Sequence, residues 1–278
     1  MTEDEKEVNK MYFENILDDT FVDPSEEIEY PPVAISMGEY SYETRTGTKT
    51  YPVPIGTYGN FSFVQAPPKV GKSYFVSLLA AVYLKGDIGT RGGKMIGHRN
   101  KRSFVHFDTE QGKFHASKVF KRPLEIAGHG FDDYHTLALR ALSPNSRLEF
   151  IEWYLSSKVD RIGMVVIDGI ADLCNDVNSI EESNKVTQKI MQLTAIHDCH
   201  IVLVIHSNFG SDKPTGHLGS FLEKKAETQI QLEKNSANKK LIDVSCKRSR
   251  NKPFADFSFS IDNYGLPEVA GEFYNPLG

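Results

Sequence analysis

The segment Ala66-Pro67-Pro68-Lys69-Val70-Gly71-Lys72-Ser73 has the residue types of a phosphate-binding loop. Backbone N–H groups of such a loop, and of the helix it opens, turn toward an anion. Lys72 would reach the β- and γ-phosphates of a nucleoside triphosphate, and the Ser73 hydroxyl would ligate Mg²⁺. Tyr74, the next residue, completes the stretch assigned to the nucleotide. The first position of the usual pattern, a glycine, is Ala66 here; alanine costs little if that residue is extended.

Phosphoryl transfer also needs a metal holder and a group that positions water. Asp168 closes the apolar run Met164-Val165-Val166-Ile167 and can hold a Mg²⁺-bound water beside Ser73. Glu110 follows the run Ser103-Phe104-Val105-His106-Phe107, and a carboxylate near the γ-phosphate could orient or deprotonate the attacking water. Asp108 is its rival. Side chains alternate along a strand, so Asp108 should point differently, and Glu110 is favoured. His206 and Asn208 end the run Ile201–Ile205, and either could donate a hydrogen bond to the γ-phosphate.

These residues need strands and helices to place them. Phe61–Val64 reads as the strand before the loop, and Tyr74–Leu84, almost wholly apolar or small, as the buried helix after it. Residues 113–127 read as a helix and Tyr134–Leu142 as a strand. Ser146 with Glu149, and Ser179 with Glu182, read as capping boxes that open two more helices. Residues 33–60 read as short strands and turns; 85–102, with five glycines, and 208–220 read as surface loops. Segments 228–232, 241–245 and 257–261 alternate as half-exposed strands do, and are expected as antiparallel additions at one edge. The class is therefore α/β, with strand ends gathering the site residues.

The totals bound the function classes. No run of eighteen apolar residues exists, so no membrane span or membrane partner is expected. The acidic start has no apolar signal region, and three scattered cysteines form no disulfide framework; a cytoplasmic location is expected. The chain carries a net charge of −5, but residues 1–30 alone carry −9, leaving +4 for the rest. That balance is far from a dedicated DNA-binding module. Residues 1–32 read as an acidic mobile arm with a short amphipathic helix around Met11–Leu17, and residues 33–278 as one domain. His197, Cys199 and His200 lack the second ligand pair of a zinc site.

The order Ala66–Ser73, Asp108-Thr109-Glu110, Val165–Asp168, Val204-Ile205-His206 resembles the RecA-type ATPase core over residues 50–265. It looks closest to plasmid RepA-like and DnaB-type hexameric helicases, and it also looks like ATPases of mobile elements and phages, in which a segment like Gly216-His217-Leu218-Gly219 precedes the late strands. The resemblance implies a RecA-like P-loop NTPase fold: a mostly parallel central sheet flanked by helices, with an antiparallel C-terminal β extension. It implies ATP and Mg²⁺ as cofactors and Glu110 as the hydrolytic base. It maps Arg248 and Arg250, with Lys247 as rival, onto arginine fingers that act on a neighbour's γ-phosphate. A homo-oligomeric ring, with a hexamer as one option, and single-stranded DNA as partner are implied too. The loops 172–182 and 208–220 occupy DNA-contacting positions in that family; the first is acidic, and the second offers Lys213, His217 and the flanking Phe209 and Phe221. A strand-exchange recombinase and a nucleotide-switched regulatory protein are the alternatives.

Overall fold

The computed structural model describes residues 3–26, 29–44, 47–208, 211 and 213–270. Phe209, named above, lies outside the described residues. The chain divides into two units, Met1–Pro31 and Pro32–Gly278. In the first, α1 (Glu3–Thr20) is one helix of 18 residues, longer than the short helix expected. Its early residues are mostly good helix formers, and Lys10 pairs with Glu14 one turn on at 3.6 Å. Met11, Tyr12, Phe13 and Leu17 are exposed.

The second unit is built on a nine-stranded sheet. β3 (Phe61–Ala66), β5 (Ser103–Asp108), β6 (Tyr134–Ala138), β7 (Ile162–Asp168), β8 (His200–His206) and β9 (Thr228–Lys234) run parallel. β10 (Ile242–Ser249), β11 (Phe257–Ile261) and β12 (Pro267–Ala270) extend it antiparallel from β9. The order is β12-β11-β10-β9-β3-β8-β7-β5-β6. Continuous apolar runs suit the inner strands, because helices cover both faces. Val64, Val166 and Val204 pack with Phe75, Leu78 and Leu79 of α2 (Lys72–Lys85) on one face. Phe63, Val165 and Leu203 pack on the other with Ile151 of α4 (Pro144–Ser157) and Ile190 of α5 (Ile180–His197). α3 (Lys113–Ala127) lies against α2, where Arg122 reaches the Ser73 carbonyl.

A separate sheet covers the α2 face. β1 (Val33–Thr44) and β2 (Gly47–Thr57) form a long hairpin, and β4 (Met95–Gly97) pairs with β1. Pro52 and Pro54 lie on β2, the outer strand, where a missing N–H breaks no ladder on the open side. The short strands expected over 33–60 are thus two strands of 12 and 11 residues.

Other expectations are corrected. Segment 85–102 is not simply a surface loop: it holds a 3₁₀ turn at Gly89–Gly92 and β4, anchored by fully buried Met95. The 208–220 segment becomes helical at α6 (Gly216–Lys225), whose Leu218 and Leu222 are buried. The strand from Tyr134 stops at Ala138 rather than Leu142. Helix α4 is capped by Ser143, three residues before Ser146, with Pro144 supplying helical φ. Ser179 does cap α5, but Glu182 turns instead to the N–H groups of Asn175 and Asp176. β9 is neither antiparallel to β3 nor half-exposed; it lies inside the sheet, buried from Thr228 to Leu232.

One buried acid ties the two sheets together. The Glu227 carboxylate accepts from Thr57 N (2.8 Å), Thr57 Oγ1 (2.7 Å) and Asn251 Nδ2 (2.6 Å). Removing it strands three donors, the two of Thr57 fully buried. Glu227→Ala is expected to lower stability by about 3 kcal/mol, seen as a smaller urea midpoint at unchanged slope. A midpoint equal to wild type would show that water replaces the carboxylate there.

Candidate active site

β3 ends at Ala66, which is buried, extended and paired with His206 of β8. The position therefore makes no use of a glycine's freedom. Two later residues do leave ordinary backbone: Lys69 sits at φ 63° and Gly71 at φ 118°. A Cβ on Gly71 would meet Ile242 Cδ1 at 2.7 Å, so β10 presses the loop as well as its own torsion restricting it. Gly71 is the N-cap of α2 and no side chain caps that end. The helix thus presents N–H groups and the positive end of its dipole to the loop, which suits a phosphate.

Lys72 is the first residue of α2. Its ammonium donates to the carbonyls of Ala66 (3.1 Å) and Pro67 (3.3 Å) and lies 2.9 Å from His206 Nδ1. A lysine can only donate, so Nδ1 accepts and Nε2 carries the ring hydrogen. That Nε2 lies 3.3 Å from Glu110 Oε1. A chain of contacts therefore runs Lys72, His206, Glu110 across β3, β8 and β5. The His206 contact, with Lys72 adding its charge, holds the Glu110 carboxyl below its ordinary value against burial. Burial pulls the Lys72 ammonium down, while Glu110 and Asp168 oppose this.

Glu110 stands on a fixed turn. Asp108 accepts from Glu110 N (3.1 Å), Gln111 N (2.8 Å) and Gln111 Nε2 (2.9 Å). Thr109 Oγ1 lies 2.9 Å from the Asp168 carbonyl and from Asp172 Oδ2. Asp108 is fully buried and spent on this turn, whereas Glu110 opens to solvent. The two acids play different parts because the chain leaves β5 at Asp108 and turns; alternation, which puts residues two apart on one side, is not the reason.

Lys69, Lys72, Ser73, Glu110, Asp168 and His206 all line one cleft of about 280 Å³. The donor set suits a hard divalent ion. Asp168 is almost wholly buried, and burial together with Asp108 and Glu110 pushes its carboxyl up to about 7. Such a cluster of carboxylates gains by a cation, and a hydroxyl plus carboxylate oxygens are magnesium ligands in type. Ser73 and Asp168 are the residues that would hold it.

Not every candidate reaches this cleft. Asn208 bonds within its own turn, from its N–H to Lys213 O (2.8 Å) and from Nδ2 to Pro214 O (3.4 Å). Arg248 is exposed at the end of β10, and Arg250 just beyond it gives Nη2 to Lys225 O (2.8 Å). Neither arginine lines the cleft. Tyr74 does, and its ring carries the guanidinium of Arg122 at 4.1 Å. Arg122 and Gln111 escaped the sequence reading. Both lie where helix packing or a turn, rather than a motif, brings them to the loop.

The buried acid gives a stability test with a definite sign. A carboxyl whose folded value lies above its unfolded value of 3.8 costs nothing below that pH and its full penalty above about 7. In chelator, Asp168→Asn is expected to be more stable than wild type at pH 8 by about 2 kcal/mol, while losing Mg²⁺-dependent turnover. The margin should vanish near pH 4. A less stable variant at pH 8 would contradict the crowding of acids around Asp168.

Among the described residues, no helix is long and apolar enough to cross a membrane. A search of curated protein sequences returned no match. The structure is similar to the crystal structure of the RadB recombinase, with a TM-score of 0.51 and 15% identity, over 77% of this chain and 92% of that one. That likeness shows the fold, a RecA-type α/β sheet. A family model described as an AAA domain matches residues 56–212, from the end of β2 through the strand that carries His206. With more than half of its length so matched, the chain belongs to the AAA domain family and has a RecA-type P-loop ATPase fold.

Proposed function

We propose that this protein binds and hydrolyses ATP with Mg²⁺, and that it works as an oligomeric translocase or helicase on single-stranded DNA in the replication of a mobile element or phage. The observation that carries the ATPase reading is the convergence of Lys72, Ser73, Asp168, Glu110 and His206 on one cleft at the N-terminus of α2. The loop from Ala66 to Tyr74 cradles the phosphates. Lys72 leaves its carbonyl partners for the β- and γ-phosphates, and His206 follows the γ-phosphate from the other side. Ser73 and Asp168 hold Mg²⁺, which when bound neutralises phosphate charge. Glu110, kept ionised by His206 and fixed by Asp108, orients the attacking water and takes its proton. The exposed Arg248 and Arg250 act on the neighbouring subunit's γ-phosphate, which accounts for their distance from their own cleft.

The motor role rests on the resemblance to hexameric helicases. The fold likeness to the RadB recombinase favours a second reading, a strand-exchange protein, which would form filaments rather than closed rings. A nucleotide-switched regulatory protein would show slow turnover indifferent to nucleic acid.

Lys72→Ala is expected to abolish nucleotide binding. Glu110→Gln should bind with near wild-type affinity and turn over at least about 100-fold more slowly. Undiminished turnover in that variant would remove Glu110 from its role. Arg250→Ala mixed with Lys72→Ala should regain activity if the arginine acts in trans, because each variant supplies what the other lacks; no regain at any ratio would rule out action across the subunit boundary.

A further inference from the structure

The sequence offered no aromatic platform for a single strand beyond Phe209 and Phe221. The fold builds one elsewhere, on the distal half of the β1–β2 hairpin. β4 pairs only with residues 35–37 of β1, so residues 39–44 and 47–52 form a two-stranded ribbon. Tyr40 sits opposite Tyr51, and Tyr42 opposite Lys49. Alternation puts these four side chains on one face. The rings form a continuous ladder: Tyr42 and Tyr51 stack with centroids 5.4 Å apart at 15°, and Tyr40 and Tyr42 at 6.1 Å and 24°. Tyr42, at the outer end, is 44% exposed.

The charges are sorted between the two faces. Both acids of the ribbon, Glu39 and Glu43, fall on the opposite face with Ser41, Thr48 and Thr50, where Glu43 accepts from Thr48 Oγ1 (2.7 Å). Among the described residues, two lysines are placed on the tyrosine face. Lys49 is one. Lys252, arriving from the segment after β10, is the other, its ammonium 4.9 Å from the Tyr40 ring. Just before Lys252 come the exposed Lys247, Arg248 and Arg250. Packing alone would explain a tyrosine ladder that stiffens a ribbon. It does not explain why acids are kept off that face while a lysine from another part of the fold is brought onto it.

We propose that the tyrosine face of the β1–β2 ribbon is a stacking platform for single-stranded nucleic acid, with Tyr42 meeting a base and Lys49 and Lys252 the adjoining phosphates. Aromatic rings flanked by cations, with the acids among the described ribbon residues on the opposite face, are what a strand with stacked bases and a charged backbone recognises. The inference rests on the single-strand part of the function proposed above and locates that contact outside the two loops the family resemblance points to.

The test is anisotropy of a labelled single strand with the full chain, Mg²⁺ and a non-hydrolysable ATP analogue, against Tyr42→Ala, Tyr42→Phe and Lys49→Ala. A second strand has the same backbone but abasic sites. Tyr42→Ala is expected to weaken binding about tenfold on the base-bearing strand and not on the abasic one. Tyr42→Phe should bind as wild type does, which also guards against a folding defect. Lys49→Ala should weaken both strands and reduce the salt slope by about 1. Wild-type affinity in Tyr42→Ala, an equal loss on both strands, or an equal loss in Tyr42→Phe would each overturn the platform while leaving the motor reading intact. A wild-type chain that binds neither strand would overturn both.

Discussion

The ammonium of Lys72 stands between two demands. It must stay charged while partly buried, and it must be releasable to a phosphate. Two loop carbonyls and His206 Nδ1 meet the first demand with three neutral acceptors rather than a tight ion pair. A carboxylate in direct contact would hold the amine too firmly and add a negative charge where phosphates must come. The acids stand one step further away, with His206 between Lys72 and Glu110. That arrangement exists because β3 lies beside β8, with Ala66 level with His206.

The rest of the site follows from keeping those strand ends in register. Asp108 pairs across with Asp168, so two acids come level at the sheet's carboxyl edge. One is spent on the turn that carries Glu110. The other stays in the cleft, raised by burial and by its neighbours. A stretch of unfavourable electrostatics is thereby stored at the point where a divalent cation would relieve it. Such local conflict within a consistent sheet is the usual mark of a functional site.

The edges of the molecule do different work from its centre. Strands β10 to β12 extend the sheet, and Ile242 presses on Gly71 from that side. The hairpin β1–β2 closes over α2 with its inner half and projects a polar ribbon with its outer half, as the shift from buried to exposed residues along both strands records. Glu227 links the hairpin's end to the basic segment near Asn251. The cleft and the basic surface thus share one framework.

Local chemistry was legible in the residues themselves. A Gly-Lys-Ser step between a strand and an apolar helix, and acids closing apolar runs, announce themselves because each is written in a few consecutive residues. The parallel strands β3, β5, β7 and β8 were legible for the same reason, since burial on both faces removes alternation. Segments whose state depends on distant partners were not. Met95 is buried only because β4 docks on β1, in a stretch whose glycines read as a loop. β9 alternates like an edge strand, with glutamines Gln229 and Gln231 every second residue, yet it lies inside the sheet because those amides bond to Gln65 and to neighbouring acids. Which acid would face the cleft, which arginine would stack on Tyr74, and that three tyrosines would share a face with Lys252 were settled by strand order and register. The sequence determined the phosphate loop and the apolar parallel strands around it, because a few neighbouring residues suffice for those; only the tertiary structure decided the pairings between segments far apart in the chain, because their energies depend on contacts that no local window contains.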